Sequence, residues 1–234
     1  MKLVRFDLSG KLAHFRRFYS NSSSLTYPIP PPTALAGVVG GALGLAPGEY
    51  PLRLRELRYS VQPPARWRTL MQTINLLFIK GQGDVTGAKG HTQVPTQFLA
   101  PYDLSEELTF RILLASDSTE LIEQITGGLL APTFPPYLGV AYCLGHVDSI
   151  SVADGELVGS YRGNTLGALL RERVVDVRLK EGQRVLRDRY PLRLDSGRNL
   201  MASGDLLVEA RGQPLDVTTT EVLQVGDQEV YALI

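Results

Sequence analysis

A run of prolines followed by a run of small apolar residues constrains this chain more than any other feature of its sequence. The prolines are Pro28, Pro30, Pro31 and Pro32, and the apolar run covers residues 34–46. Proline is tolerated in the first helical turn, where its missing N–H is not needed, so we predict a helix from Pro32 or Thr33 to about Leu45. Each of its four glycines weakens a helix by about 1 kcal/mol relative to alanine. We therefore expect a close backbone approach, with this helix lying tightly on a sheet.

The same apolar run is too short for a membrane span, which needs about 20 residues. The first residues show no signal-peptide pattern. The single cysteine, Cys143, excludes an internal disulfide and fits a reducing compartment, and we expect it to be a small buried hydrophobe. With 234 residues the chain is long enough to bury a substantial core. We expect a cytoplasmic protein.

Charge is divided unevenly along the chain, although the formal net charge is zero. Residues 1–100 contain 12 Lys and Arg against 4 Asp and Glu, whereas residues 101–234 contain 12 against 20. Such asymmetry indicates a polyanion bound on the basic side. The acidic half either contacts a basic partner or is simply solvated.

A cationic and aromatic cluster directly precedes the prolines. Single-stranded RNA is held by cations along its phosphates and by aromatic side chains on which bases stack. We therefore predict that this cluster binds RNA through Arg16, Arg17, Tyr19, Ser22 and Ser23. The alternative for the two arginines is a surface ion pair with the acidic half.

Hydrophobic periodicity predicts an α+β protein. We expect strands near residues 2–9, 52–61, 108–115 and 138–152, the helix described above after the first, and a second helix from Asp117 or Ser118 to about Ile125, ended by two glycines. The resulting order, β-α-β-insert-β-α-β, is that of a ferredoxin-like (RRM-like) domain. We assign it to residues 1–153, with a long arm insertion at about 64–103. The pattern of residues 154–234 predicts a β-rich C-terminal region of short strands, with turns near Gly182 and Gly226.

The insertion is apolar along its length and ends in a glycine-rich basic tip. We predict RNA contacts at Lys80, Lys89 and His91, the last at the base of the arm, or else a hairpin folded back on its own domain. Further along the chain, we expect contacts from Tyr137 and from backbone N–H groups near Gly139, since turn amides bind phosphate.

A metal-independent endoribonuclease is the enzymatic alternative. Such an enzyme needs a base, an acid and a cation at the phosphate. His91 and Lys89, with Tyr27 or His14, contain those groups. No pattern predicts a metal site or a cofactor.

Three motifs together resemble the Cas-five family of CRISPR-associated proteins. They are FRRFYSNSSSLTYPIPPPTALAGVVGGALG from Phe15, HTQVPTQFL from His91 and YLGVAYC from Tyr137. This family belongs to the RAMP superfamily and serves in type I Cascade surveillance complexes. The second motif most resembles the type I-B branch.

The resemblance implies a ferredoxin-like N-terminal half in which the insertion is a thumb-like projection. It also implies a noncatalytic subunit in antiviral defence that holds the 5′ handle of the crRNA and caps the backbone filament. Its partners would be the Cas-seven backbone subunit and the Cas-eight large subunit, and it would meet target DNA only indirectly. One branch of the family cleaves repeat RNA with a tyrosine, a lysine and a histidine, but here Gly90 separates Lys89 from His91.

Overall fold

The computed structural model describes residues 1–20 and 23–234, and within them the chain is mostly β-sheet with few helices. Ser22, one of the predicted RNA-binding residues, lies outside the described residues. The strands are β1 Lys2–Gly10, β2 Arg58–Gln62, β3 Arg68–Leu77, β4 His91–Ala100, β5 Leu108–Ser116, β6 Gly145–Asp154, β7 Glu156–Thr165, β8 Leu169–Leu170, β9 Val174–Arg178, β10 Val185–Leu194, β11 Leu200–Glu209, β12 Leu215–Val225 and β13 Glu229–Tyr231. The α-helices are α1 Pro32–Ala42, α2 Tyr50–Arg53 and α3 Thr119–Leu130, and short 3-10 turns cover Gln82–Thr86 and Arg171–Arg173.

The N-terminal half is built on a four-stranded antiparallel sheet in the order β2-β5-β1-β6. Along the chain, α1 lies between β1 and β2, and α3 lies between β5 and β6. Strand β1 alternates as its sequence predicts, so that Val4, Phe6 and Leu8 enter one core cluster with residues of both helices. The two longer helices therefore share one core with this sheet.

The opposite side of this sheet packs in part against the C-terminal strands. Leu3 and Leu113 share a core cluster with Leu223 of β12 and Tyr231 of β13. Beyond that cluster the face carries charge, and Arg111 lies 3.2 Å from Asp7. The C-terminal residues are thus part of what holds the N-terminal sheet.

The C-terminal residues form two small sheets, β10-β11-β8 and β13-β12-β7, with β9 paired to β12. The predicted turn near Gly226 joins β12 to β13. The turn near Gly182 connects strands of different sheets, because β9 pairs with β12 and β10 pairs with β11. Residues 174–194 therefore do not form a β-hairpin.

The first helix ends at Ala42, three residues before its predicted end, and its glycines do not seat it on a sheet. A Cβ at Gly40 would lie 2.7 Å from the Cβ of Tyr50, whereas one at Gly41 would meet nothing within 4 Å. The close approach is therefore to the short helix α2. That helix also replaces the first half of the strand expected at residues 52–61, since only residues 58–62 pair with β5.

Two further predicted boundaries change. Ser118 caps α3 by accepting a hydrogen bond from the Leu121 N–H at 3.2 Å, as predicted, but the helix continues through both glycines to Leu130. A Cβ at Gly128 would lie 2.8 Å from the Leu43 side chain, so this glycine allows close packing and does not end the helix. The last strand of the sheet starts at Gly145, later than expected. None of the helices in the described part of the chain is long and apolar enough to cross a membrane.

Candidate nucleic-acid interface

Residues 14–20 and 23–27, which we call the hinge loop, form two hydrogen-bonded segments between β1 and the proline segment. The Arg17 N–H donates to the Leu25 carbonyl at 2.8 Å, and the Tyr27 N–H donates to the Phe15 carbonyl at 2.8 Å. The Phe15 N–H donates to the hydroxyl oxygen of Thr26 at 2.9 Å. Because successive side chains of an extended segment point to opposite sides, Arg16 and Arg17 face different surroundings.

His14 anchors the hinge loop to strand β4. Its ring is buried, with Nδ1 2.7 Å from the Gln97 carbonyl and Nε2 2.8 Å from the Ser24 hydroxyl. A carbonyl only accepts, so Nδ1 carries the proton and Nε2 accepts from Ser24. Burial lowers the pKa of His14. His14 is therefore a neutral structural residue in this fold.

Arg17 and Tyr19 both contact Asp188 of β10. The Arg17 guanidinium lies 3.2 Å from the Asp188 carboxylate, and the Tyr19 hydroxyl donates to the same carboxylate. Only 16% of the Asp188 side chain is exposed. The alternative predicted for the two arginines was an ion pair with the acidic half of the chain. Arg17 forms such an ion pair with Asp188.

Arg17 and Tyr19 line a cleft of about 680 Å³, which we call the arm-side cleft, together with Trp67, Arg184 and Arg187. Trp67 is held by a hydrogen bond from its Nε1 to the Ala210 carbonyl at 2.8 Å. Arg187 pairs with Asp205. The proximity of the β10 arginines to the hinge loop is set by packing between the two halves of the chain, so no local sequence pattern indicates it.

Arg16 lies on the other side of the hinge loop, in a cleft of about 460 Å³ that we call the helix-side cleft. Phe18, Tyr137, Gly139 and Arg198 also line it. Arg16 is exposed, and its guanidinium has no hydrogen-bond or ion-pair partner among residues 1–20 and 23–234. This cleft thus combines an available cation with exposed aromatic rings, the combination that suits single-stranded RNA.

Gly139, which lines this cleft, allows two backbone segments to approach each other closely. Its φ is +91°, and a Cβ on it would lie 2.0 Å from the His14 carbonyl oxygen. Next to it, the His14 N–H donates to the Leu138 carbonyl at 3.0 Å. Gly139 therefore lets the turn at residues 137–143 seat against the hinge loop, which places Tyr137 beside Arg16.

Ser23 lies in the hinge loop, where its carbonyl accepts from the Leu25 N–H at 3.1 Å. The predicted residues of the insertion lie at the far end of the arm, defined here as β3, β4 and the tip between them (residues 78–90). Lys80 sits over the Phe78 ring at 4.9 Å, and the Lys89 ammonium lies 2.7 Å from the Asp84 carboxylate. His91 pairs with Leu77 beside the tip, while Arg68 and Ala100 pair at the other end. The prediction that His91 lies at the base of the arm is therefore wrong.

Tyr27, the third residue of the enzymatic alternative, is fully buried. Its hydroxyl donates to the Arg189 carbonyl at 2.6 Å, and its ring stacks on Tyr190 at a centroid distance of 4.2 Å. Burial raises its pKa. Thr26, the preceding residue, contacts Gln97, which is about 20 Å along β4 from His91 at about 3.4 Å per residue. Tyr27 and His91 therefore do not form one site.

The polar face of the N-terminal sheet is poorly suited to stacking bases. Arg5 pairs with Glu229, Arg111 with Asp7, and Ser9 donates to Thr109 at 3.1 Å. On this face, the described parts of β1, β5 and β6 present no Phe, Tyr or Trp. The aromatic and cationic groups lie instead beside the hinge loop.

A family model described as "CRISPR-associated protein (Cas_Cas5)" matches residues 3–198. The chain belongs to the Cas5, or Cas-five, family. The match includes the hinge loop, the arm and all of β10. Among curated proteins, no sequence matches this chain.

Several solved structures are similar in fold. A CRISPR protein from Archaeoglobus fulgidus has a TM-score of 0.58 at 14% identity, covering 98% of this chain and 97% of that one. A chain of a CRISPR RNA-guided surveillance complex has a TM-score of 0.54 at 18% identity, with 92% and 90% covered. A chain of a type III-B Cmr-beta complex bound to cognate target RNA and AMPPnP has a TM-score of 0.52 at 11% identity, with 92% and 86% covered. At these identities the likeness is one of fold.

Proposed function

We propose that this Cas-five protein is a noncatalytic crRNA-binding subunit of a type I Cascade surveillance complex in the cytoplasm. It holds the 5′ handle of the guide RNA and caps the backbone filament, while base pairing by the guide recognises target DNA. The motif at His91 favours a type I-B complex. The observation that carries the proposal is the exposed guanidinium of Arg16, which has no partner within the described part of the chain and shares a cleft with the rings of Phe18 and Tyr137.

The helix-side cleft is the better RNA site of the two clefts beside the hinge loop. In the arm-side cleft, Asp188 neutralises Arg17 and Asp205 pairs with Arg187, so a phosphate that binds either of these arginines must displace a carboxylate. Arg184 is exposed and is the one arginine of the three that has no side-chain partner among the described residues. In the helix-side cleft, Arg16 and Arg198 are both exposed, and the described residues provide neither guanidinium with an ion-pair partner. An entering phosphate gains their charge without breaking a native ion pair.

The N-terminal sheet supports a ferredoxin-like assignment. Its order β2-β5-β1-β6, with α1 and α3 as the two crossover helices, corresponds to the β-α-β-β-α-β order predicted from the sequence. We further propose that the arm contacts the Cas-seven subunit and that another face contacts the Cas-eight subunit. Exposed Met71, Leu77, Ile79 and Val85 on the arm suit a protein contact.

Absence of catalysis is also part of this proposal. Tyr27 is buried with its hydroxyl engaged, Lys89 is paired with Asp84, and His91 lies beside the arm tip. These placements support a noncatalytic protein, because catalytic groups must converge on one phosphate.

Handle-RNA affinity of single arginine variants tests the proposal. We expect Arg16→Ala to weaken binding about 5- to 20-fold at a fixed salt concentration, as for loss of a charge-assisted hydrogen bond worth about 1–2 kcal/mol. Arg162→Ala, an exposed arginine on β7 outside these clefts, is the matched control. Equal affinities for the wild type, Arg16→Ala and Arg162→Ala would rule out the assignment of the site.

A further inference from the structure

A third cleft, of about 330 Å³, lies at the first turn of α1, and we call it the arginine cleft. Thr33, Tyr50 and Leu194 line both the arginine cleft and the helix-side cleft. The two clefts therefore adjoin at the start of α1, and we call the pair of clefts the groove.

Four arginines line the arginine cleft: Arg55, Arg58, Arg173 and Arg193. Arg58 and Arg173 share one carboxylate oxygen of Glu221, at 3.0 and 2.7 Å. The two guanidinium groups are thus fixed in the wall of the cleft with a single negative charge between them. A second anion near this wall would be attracted by the remaining positive charge.

The other two arginines are available at the mouth of the cleft. Arg193 is exposed, and nothing in the described ranges, which omit only residues 21 and 22, bonds or pairs with its guanidinium. Among the residues that the structure describes, Arg55 pairs only with Glu56, its neighbour in sequence, at 3.3 Å, and both side chains are largely exposed. Exposed pairs of this kind contribute little free energy, about 0–1 kcal/mol, so Arg55 can exchange its partner for a phosphate.

The deeper wall of the arginine cleft is apolar. Leu54, Leu57 and Tyr59 are buried residues that border it, and Leu192 completes the wall from β10. Its volume lies at the lower end of the range of about 300–1,000 Å³ for ligand pockets. The polar part of the lining consists mainly of the four arginines, with Glu56 as the one carboxylate side chain among the lining residues. An apolar wall beside these cations suits a nucleobase against the wall and phosphates at the exposed arginines.

We propose that the groove extends the RNA-binding surface, so that a single strand seated in the helix-side cleft continues around the start of α1 and inserts a base into the arginine cleft. Arg193 and Arg55 then hold the phosphates that flank this base. The inference rests on the proposed function, because the strand reaches this cleft by way of Arg16.

Binding of RNAs of different length tests the extension. Handle RNA is shortened one nucleotide at a time from each end, and affinities of the full chain are measured by fluorescence anisotropy over a range of salt. We expect Arg193→Ala to lower the affinity for long RNAs about 3- to 10-fold and to leave the affinity for the shortest bound RNAs unchanged. Arg16→Ala should lower the affinity for both. For long RNAs the slope of log affinity against log salt should fall by about 0.7 for one lost phosphate contact.

Matched variants separate the outcomes. Arg193→Lys should restore most of the affinity, since it keeps the charge, and Arg162→Ala on β7 should bind as the wild type does. If Arg193→Ala binds RNAs of every length as the wild type does, while Arg16→Ala binds them more weakly, the extension is overturned and the proposed function stands. Wild-type affinity of both variants would overturn both.

Discussion

The Arg17 guanidinium lies 3.2 Å from the carboxylate of Asp188, and this ion pair joins the hinge loop to the C-terminal strand β10. Arg16, the neighbouring residue, points away from Asp188 into the helix-side cleft. Two adjacent arginines thus have different roles. Arg17 fixes the hinge loop in place, and Arg16 is available to an anion.

Arg17→Ala should lower the free energy of unfolding by about 1–3 kcal/mol, because it removes the cationic partner of the largely buried Asp188 carboxylate. Chemical denaturation of Arg17→Ala, Asp188→Ala and the double variant measures the coupling between the two side chains. Additive effects of the two single substitutions would show that Arg17 and Asp188 are not coupled, which would contradict a stabilising ion pair between the hinge loop and β10.

Gly139→Ala should destabilise the fold by about 2–4 kcal/mol, because φ is +91° and the added Cβ would overlap the His14 carbonyl oxygen. Gly41→Ala is the matched control, since a Cβ there meets nothing within 4 Å. Because Gly41 lies in the last turn of α1, this substitution should leave the stability unchanged or raise it by up to about 1 kcal/mol. Thermal unfolding of the two variants measures both effects, and equal changes in both variants would contradict this account of the turn.

Stability should depend on pH through His14. Burial lowers its pKa in the folded protein below the ordinary value of 6.5. The unfolded chain therefore binds the proton more readily, and the stabilising contribution is fully present above about pH 6.5 and is lost as the pH falls through the window below that value.

The measurement is the free energy of unfolding of the wild type and of His14→Gln at pH values on both sides of this window. The variant should be less stable throughout and should lose less stability on acidification. His91→Gln, which removes an exposed histidine beside the arm tip, should keep the wild-type dependence. A wild-type pH dependence in His14→Gln would exclude His14 as its source.

No cleavage of repeat RNA is expected, and Tyr27→Phe should act on stability alone. Loss of the hydrogen bond from the Tyr27 hydroxyl to the Arg189 carbonyl should lower the free energy of unfolding by about 1 kcal/mol. Repeat RNA incubated with the wild type, Tyr27→Phe or His91→Ala without metal is resolved on a denaturing gel. Cleavage by the wild type that His91→Ala abolishes would support the endoribonuclease instead.

The sequence by itself determined the local elements and the general position of the site. Alternation in β1, the Ser118 cap and the proline start of α1 are short-range signals, and the structure contains all three. The cationic hinge loop was also visible as a cluster of arginine and aromatic residues. These features depend on backbone preferences and hydrophobic periodicity within about ten residues.

Only the tertiary structure decided which cations are available. Asp188 neutralises Arg17, Asp84 pairs with Lys89, and the strand pairing of β3 and β4 moves His91 to the tip end of the arm. It also turned residues 50–53 into a helix that packs on Gly40. Each outcome depends on a contact between segments far apart in the chain or on the register of a hairpin, and neither is encoded in the local pattern of residues.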